Sequence, residues 1–107
     1  MNTLSPPFGA KVPAMGLAWY RREDYQRIRE ISNDEMQPTF DAFEEKMQRW
    51  LPQLKTQLPP GIIIEKVIVN PDDLLAFAEK FHGGKIDTKV RSAFAAAAVM
   101  KKYGDTR

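Results

Sequence analysis

Ala93 to Met100, eight residues reading Ala-Phe-Ala-Ala-Ala-Ala-Val-Met, is the longest uninterrupted apolar run in the chain. It limits the fold more than any other feature. Alanine is the best helix former. Asp87 and Thr88 supply start signals before the run and Gly104 a stop after it, so it reads as the body of a helix from about residue 88 to Tyr103. A helix that is apolar on all sides is either central to a protein or covered by another chain. This one falls far short of the ~20 residues that span a bilayer. A chain of 107 residues has little material left to wrap it. Val90, Ala93, Ala97 and Met100 recur at spacings of three and four with Phe94 beside them, and alanines let a second helix approach to about 8 Å. The last helix is therefore expected to be central and to join two copies as a homodimer, with Ala93, Ala97 and Met100 as partner surface.

The rest of the chain is punctuated by proline and glycine. Gly16 to Tyr20 is short, apolar and aromatic, and reads as a strand. Arg22 to Ile31 reads as a helix: Glu23 and Asp24 occupy its first turn, Glu23 and Arg27 stand at i,i+4, and Tyr25, Ile28 and Ile31 make one apolar face. Thr39 after Pro38 is an N-cap for a helix in which Phe40, Phe43, Met47, Trp50 or Leu51, Leu54 and Leu58 follow helical spacing. Pro52 predicts a kink at Leu51, or a stop there with a restart at Pro52. Pro59-Pro60-Gly61 ends the segment. Six of the eight residues from Ile62 to Val69 are β-branched and apolar, which predicts the second strand. Asn70 caps the next helix with Pro71 in first position. Its inner face is Leu74, Phe77, Ala78 and Phe81, and Gly83-Gly84 ends it.

The order is thus strand-helix-helix twice, a helix-rich α+β fold with two short strands and about four helices. A shift of 49 residues superposes Glu23-Asp24-Tyr25 on Asp72-Asp73-Leu74 and Thr39 on Thr88. One compact domain over 15–107 is expected. Residues 1–14, with Pro6, Pro7, Gly9 and Pro13, read as a flexible arm. They have neither the basic start nor the apolar core of a signal peptide, so the expected location is cytoplasmic and away from membranes.

Charge is unevenly spread. Residues 1–29 carry a net +3, residues 30–79 a net −6 and residues 80–107 a net +5, which returns the overall +2. Either the segments neutralise one another on folding, or the basic last third faces an anionic partner.

Little in the chain suggests catalysis. Cysteine is absent, which removes disulfides, thiolate metal sites and cysteine nucleophiles. His82 is the single histidine and sits at a helix end, where the dipole favours a cation. Asp72-Asp73 is explained by its place in a first turn, and Gly83-Gly84-Lys85 lacks the spacing of a phosphate loop. No nucleophile–base pair, metal triad or cofactor fingerprint appears, so a non-enzymatic interaction or regulatory module without cofactors is expected. Trp19-Tyr20-Arg21-Arg22 mixes aromatic surface with guanidinium groups: either Trp19 and Tyr20 fill the core and the arginines are solvated, or the four are the second candidate partner surface, suited to an unknown protein partner or a nucleic-acid backbone.

Two resemblances bear on this. Trp19-Tyr-Arg-Arg-Glu-Asp-Tyr25, with a strand ending in Val69-Asn-Pro-Asp72, resembles a family of small uncharacterised bacterial proteins, which implies a bacterial source and a compact fold. Residues 62–100 resemble a ribbon–helix–helix DNA-binding module: strand, Pro71-Asp-Asp-Leu74, helix, Gly83-Gly84, helix. That resemblance implies a transcriptional regulator in which strands of a dimer enter the major groove. Lys85, Lys89 and Arg91 would then grip phosphate at the N-terminus of the last helix. Lys66 would be the one outward polar side chain of the strand able to meet a base edge.

Overall fold

The computed structural model describes residues 14–104. Strand β1 (Ala14–Trp19) leads through a 3-10 turn (Arg22–Asp24) into helix α1 (Tyr25–Ile31), and a loop connects it to the long helix α2 (Phe40–Gln57). Strand β2 (Ile63–Ile68), helix α3 (Pro71–Phe81) and helix α4 (Thr88–Val99) follow, and the chain widens into a π-helical turn over Met100–Gly104. This is the helix-rich α+β fold that the sequence predicts. The arm expected over 1–14 lies outside the described residues except for Ala14, which opens β1.

Local chemistry sets the boundaries. The Thr39 hydroxyl accepts from the Ala42 N–H at 3.1 Å, the Asn70 side chain from the Asp72 and Asp73 N–H groups, and Asp87 from the Val90 N–H. Each satisfies donors that a helix N-terminus leaves orphaned. Gly83 and Gly84 take positive φ, and the Ala78 carbonyl accepts from both His82 and Gly84, so α3 closes in a left-handed cap that residues with a side chain rarely adopt.

Helix α2 runs unbroken through Pro52, so the stop and restart read from the sequence do not occur. Pro52 and Gln48 are both exposed, and the carbonyl deprived of its donor therefore lies on the water side of the helix. Pro52→Ala restores that hydrogen bond and is expected to raise the unfolding free energy by about 2 kcal/mol, read from urea denaturation. A loss of stability would show instead that a bend at this position is needed to seat Leu54.

The two strands pair in parallel within the chain, Ala14 opposite Ile63 through Trp19 opposite Ile68. Alternation of side chains gives the sheet two distinct faces. Gly16 and Ala18 lie on the face under α4, together with Glu65, which accepts from Lys102 and the Tyr103 hydroxyl at the far end of that helix. Leu17 and Trp19 lie on the opposite face. There Trp19 meets Phe43 of α2 edge-on at 5.1 Å, and Lys66 of β2 sits 4.2 Å above the Trp19 ring. Helix α4 packs along both strands and against α3, which makes it central as expected.

The core spreads from this sandwich. Ile28, Val69, Leu74, Ala78 and Ile86 are fully buried. Trp19, Tyr20, Tyr25, Phe40 and Phe43 form a cluster with ring centres 5.0–6.1 Å apart. Phe81 was expected on the inner face of α3 but is 60% exposed; it lies on the last turn, beyond the reach of the sheet, and rests on Phe77.

Among the described residues, the four ion pairs that join separate elements follow one pattern. Arg22–Asp41, Arg27–Asp72, Arg91–Asp34 and Lys102–Glu65 each tie a basic end segment to the acidic middle. Arg27 turns to Asp72 rather than to Glu23. These pairs favour the internal-neutralisation reading of the charge pattern.

Candidate functional site

Helix α4 has two unlike sides. Val90, Arg91, Ala95 and Val99 are buried against the sheet and α3, whereas Ala96, Ala97 and Met100 are exposed and Ala93 is partly so. The outward side is therefore a smooth apolar strip that ends in Met100, 69% exposed. Lys89 and Lys101 flank it. Lone exposed hydrophobes are ordinary on a protein surface; a continuous strip on the helix at the centre of a fold is not.

A second feature opens on another flank of α4. A cleft of about 460 Å³ is lined by Leu17 and Ala18 of β1, Phe43, Lys46, Met47 and Trp50 of α2, Met36 and Gln37 of the α1–α2 loop, and Thr88, Arg91 and Ser92 of α4. Its size is in the range of binding sites. Because α2 and α4 lie on opposite faces of the sheet, a cleft that touches both runs along the open side edge of β1. Tyr20 and Tyr25 close its inner end, and burial pushes the Tyr20 pKa up, so the hydroxyl stays neutral at physiological pH.

The same end is pinned by a buried ion pair. The Arg91 guanidinium donates to both carboxylate oxygens of Asp34 at 2.8 Å, to the Ser32 hydroxyl at 2.9 Å and to the Thr88 hydroxyl at 3.1 Å. Asp34 also accepts from the Thr88 N–H, at the first turn of α4. Hydrogen bonds from Arg91 hold the Asp34 carboxyl down at about 2, since they favour its charged form. Asn33 exchanges hydrogen bonds with Ile86, and the Tyr25 hydroxyl donates to the Gln37 carbonyl. The α1–α2 loop is thus fastened to the start of α4 and forms one fixed wall of the cleft.

The residues singled out from the sequence are redistributed by this geometry. Trp19 and Tyr20 are 6% and 5% exposed and belong to the core, because the aromatic cluster around Phe43 buries them, so the core alternative holds for this pair in place of an open partner surface; Tyr20 keeps only the edge that closes the cleft. Arg21 and Arg22 are exposed but paired with Asp24 and Asp41, and Arg22 stacks on Phe40. Ala93, Ala97 and Met100 do fall together on the outward strip. Of the residues read as nucleic-acid contacts, Lys85 and Lys89 are exposed near the start of α4. Arg91 is turned inward and committed to Asp34, which leaves it no face for a phosphate. Lys66 is exposed and lies over Trp19. Its strand is laddered to β1 of the same chain in parallel, unlike an intermolecular ribbon.

The sequence reading missed Asp34, Met36 and Met47. Ser32-Asn33-Asp34 is by composition only a polar stretch after a helix, and nothing local marks Asp34 as the partner of an arginine 57 positions away. Among the described residues no group of three or more histidine, cysteine or carboxylate side chains is placed to hold a metal ion, and no helix is long and apolar enough to cross a membrane. No protein family, curated protein or solved structure matches the chain.

Proposed function

We propose that this chain is a cytoplasmic, non-enzymatic interaction module that works as a homodimer joined through the outward side of α4. One observation carries the reading: the helix that organises the fold presents Ala93, Ala96, Ala97 and Met100 to water in the single chain. Small side chains allow two such helices to approach closely, and burying the strip removes apolar surface at about 25 cal/mol per Å². Lys89 and Lys101 at its margins keep their charges at the rim of the interface, where a dimer tolerates them. The DNA-binding alternative draws less support, since Arg91 is unavailable.

Light scattering coupled to size exclusion tests the proposal. The wild type is expected to be dimeric in the micromolar range. Ala97→Glu is expected to give a folded monomer, because the strip is solvated in one chain and a carboxylate is penalised only when the partner desolvates it. A wild-type protein that remains monomeric at high micromolar concentration overturns the reading.

A further inference from the structure

The open edge of β1 raises an accounting question, since every backbone N–H and C=O needs a partner or water. The Val69 N–H donates to the Trp19 carbonyl at 2.8 Å, so Trp19 directs its backbone groups toward β2. In a strand these directions alternate. Leu17 and Met15 therefore also face β2, and Gly16 and Ala18 aim their N–H and C=O groups away from it; Ala18 lines the cleft, and Gly16 continues the same edge just beyond the lining. No hydrogen bond from a described residue reaches those groups. Among the described residues the cleft floor is an unpaired strand edge, recessed between α2 and α4. Parallel sheets are normally extended beyond two strands, and among the described residues this one stops at two.

We propose that the cleft along β1 takes an extended peptide segment of a partner protein as a third strand, with large apolar side chains toward α2 alternating with small polar ones toward α4. The alternation follows from the walls. Every second side chain of an added strand meets Phe43, Met47 and Trp50, and those between meet Thr88 and Ser92. Methionines adapt to differing apolar side chains, and Trp50, at the rim, is 38% exposed. Main-chain hydrogen bonds to Gly16 and Ala18 supply affinity, and the α2 wall supplies selectivity.

Two other occupants fit less well. The thirteen residues before Ala14 contain Pro6, Pro7 and Pro13, whose missing N–H groups and fixed φ suit a strand poorly. The β1 edge of a second copy is itself recessed between two helices, so two such edges cannot meet. The proposal rests on the reading of the chain as an interaction module but not on its dimer, because the cleft touches α4 through Thr88, Arg91 and Ser92 and not through the outward strip.

The test is a titration of the full-length ¹⁵N-labelled protein with a capped heptapeptide of alternating serine and leucine. The expected result is a downfield shift of the Gly16 and Ala18 amide signals and slowing of their hydrogen exchange by tenfold or more. The same peptide N-methylated on its pairing edge is expected to bind at least tenfold more weakly. Ala18→Pro removes an outward donor while leaving the β1–β2 ladder intact, and is expected to abolish binding. Should that variant not fold, Trp50→Ala, at the exposed rim, is expected to weaken binding severalfold. Slow exchange of the Gly16 and Ala18 amides in the free protein, no shift at millimolar peptide, or equal binding of the N-methylated peptide overturns the proposal. The last result would mark the cleft as a site for apolar groups alone. Each of these outcomes is independent of the oligomeric state.

Discussion

Gly16→Ala is expected to destabilise the protein by about 3 kcal/mol, and Gly16→Val to leave no folded protein. The cause is steric and not conformational. A Cβ at Gly16 would stand 2.6 Å from the Ala95 carbonyl oxygen, 2.7 Å from Val99 Cγ2 and 3.0 Å from the Ala95 carbonyl carbon. Two of those atoms are helix backbone, so relief requires moving α4 itself, and α4 is held at one end by Asp34 and at the other by Glu65. Overpacked sites usually cost less because a side chain rotates away; here only Val99 has that freedom. Val99→Ala in the Gly16→Ala background should therefore recover part of the loss and no more. Urea denaturation of the two single variants and the double variant gives the coupling directly. A Gly16→Ala protein within 0.5 kcal/mol of wild type would mean that α4 slides on the sheet.

Asp34→Asn is expected to cost a further, separate ~3 kcal/mol, because it leaves the Arg91 charge buried without a counterion. Arg91 is 7% exposed at its side chain and Asp34 27%, so water compensates poorly. Arg91→Met in the Asp34→Asn background should restore much of the loss, since removing both charges is far cheaper than stranding one. The pH dependence has a definite sign. The Asp34 carboxyl is lowered from 3.8 to about 2 in the folded state, so the folded state binds its proton less readily than the unfolded chain. The pair's contribution is complete above about pH 5 and drains away as pH falls through 4 toward 2. Wild type and Asp34→Asn should accordingly converge in stability across that window. Parallel curves from pH 6 to pH 2 would remove the ion pair from the account of acid unfolding.

What the sequence made legible was local. Thr39, Asn70-Pro71, Asp87 and Gly83-Gly84 write their caps and turns into neighbouring residues, and the elements they bound formed. The even mixture of apolar residues in Gly16–Tyr20 identified a strand but not which face was buried or how deeply. Trp19 and Tyr20 beside Arg21 and Arg22 carry the same composition whether an aromatic pair fills a core or meets a partner. Only Phe43, far along the chain, decides it. Arg91 illustrates the limit most plainly. At a helix start, among lysines, a guanidinium suits phosphate; its fate was set by a carboxylate in a loop that the sequence marks merely as polar. The apolar strip of α4 was legible because excess is visible in composition, whereas the β1 edge was not, because an unpaired backbone leaves no trace in side-chain identity.

The place of α4 over both strands also bears on how the protein is born. A nascent chain releases β1, α1, α2, β2 and α3 before the helix that organises them leaves the ribosome. Until then Ile62–Val69 is a β-branched segment without its cover, the kind of stretch that pairs with copies of itself. The pairing of β1 with β2 spans 49 positions, and such distant closure is slow. Folding should therefore wait for the last helix and then complete in one step. A message truncated before Val99 is expected to yield aggregate with no smaller folded unit. Slowing translation ahead of α4 should lower soluble yield.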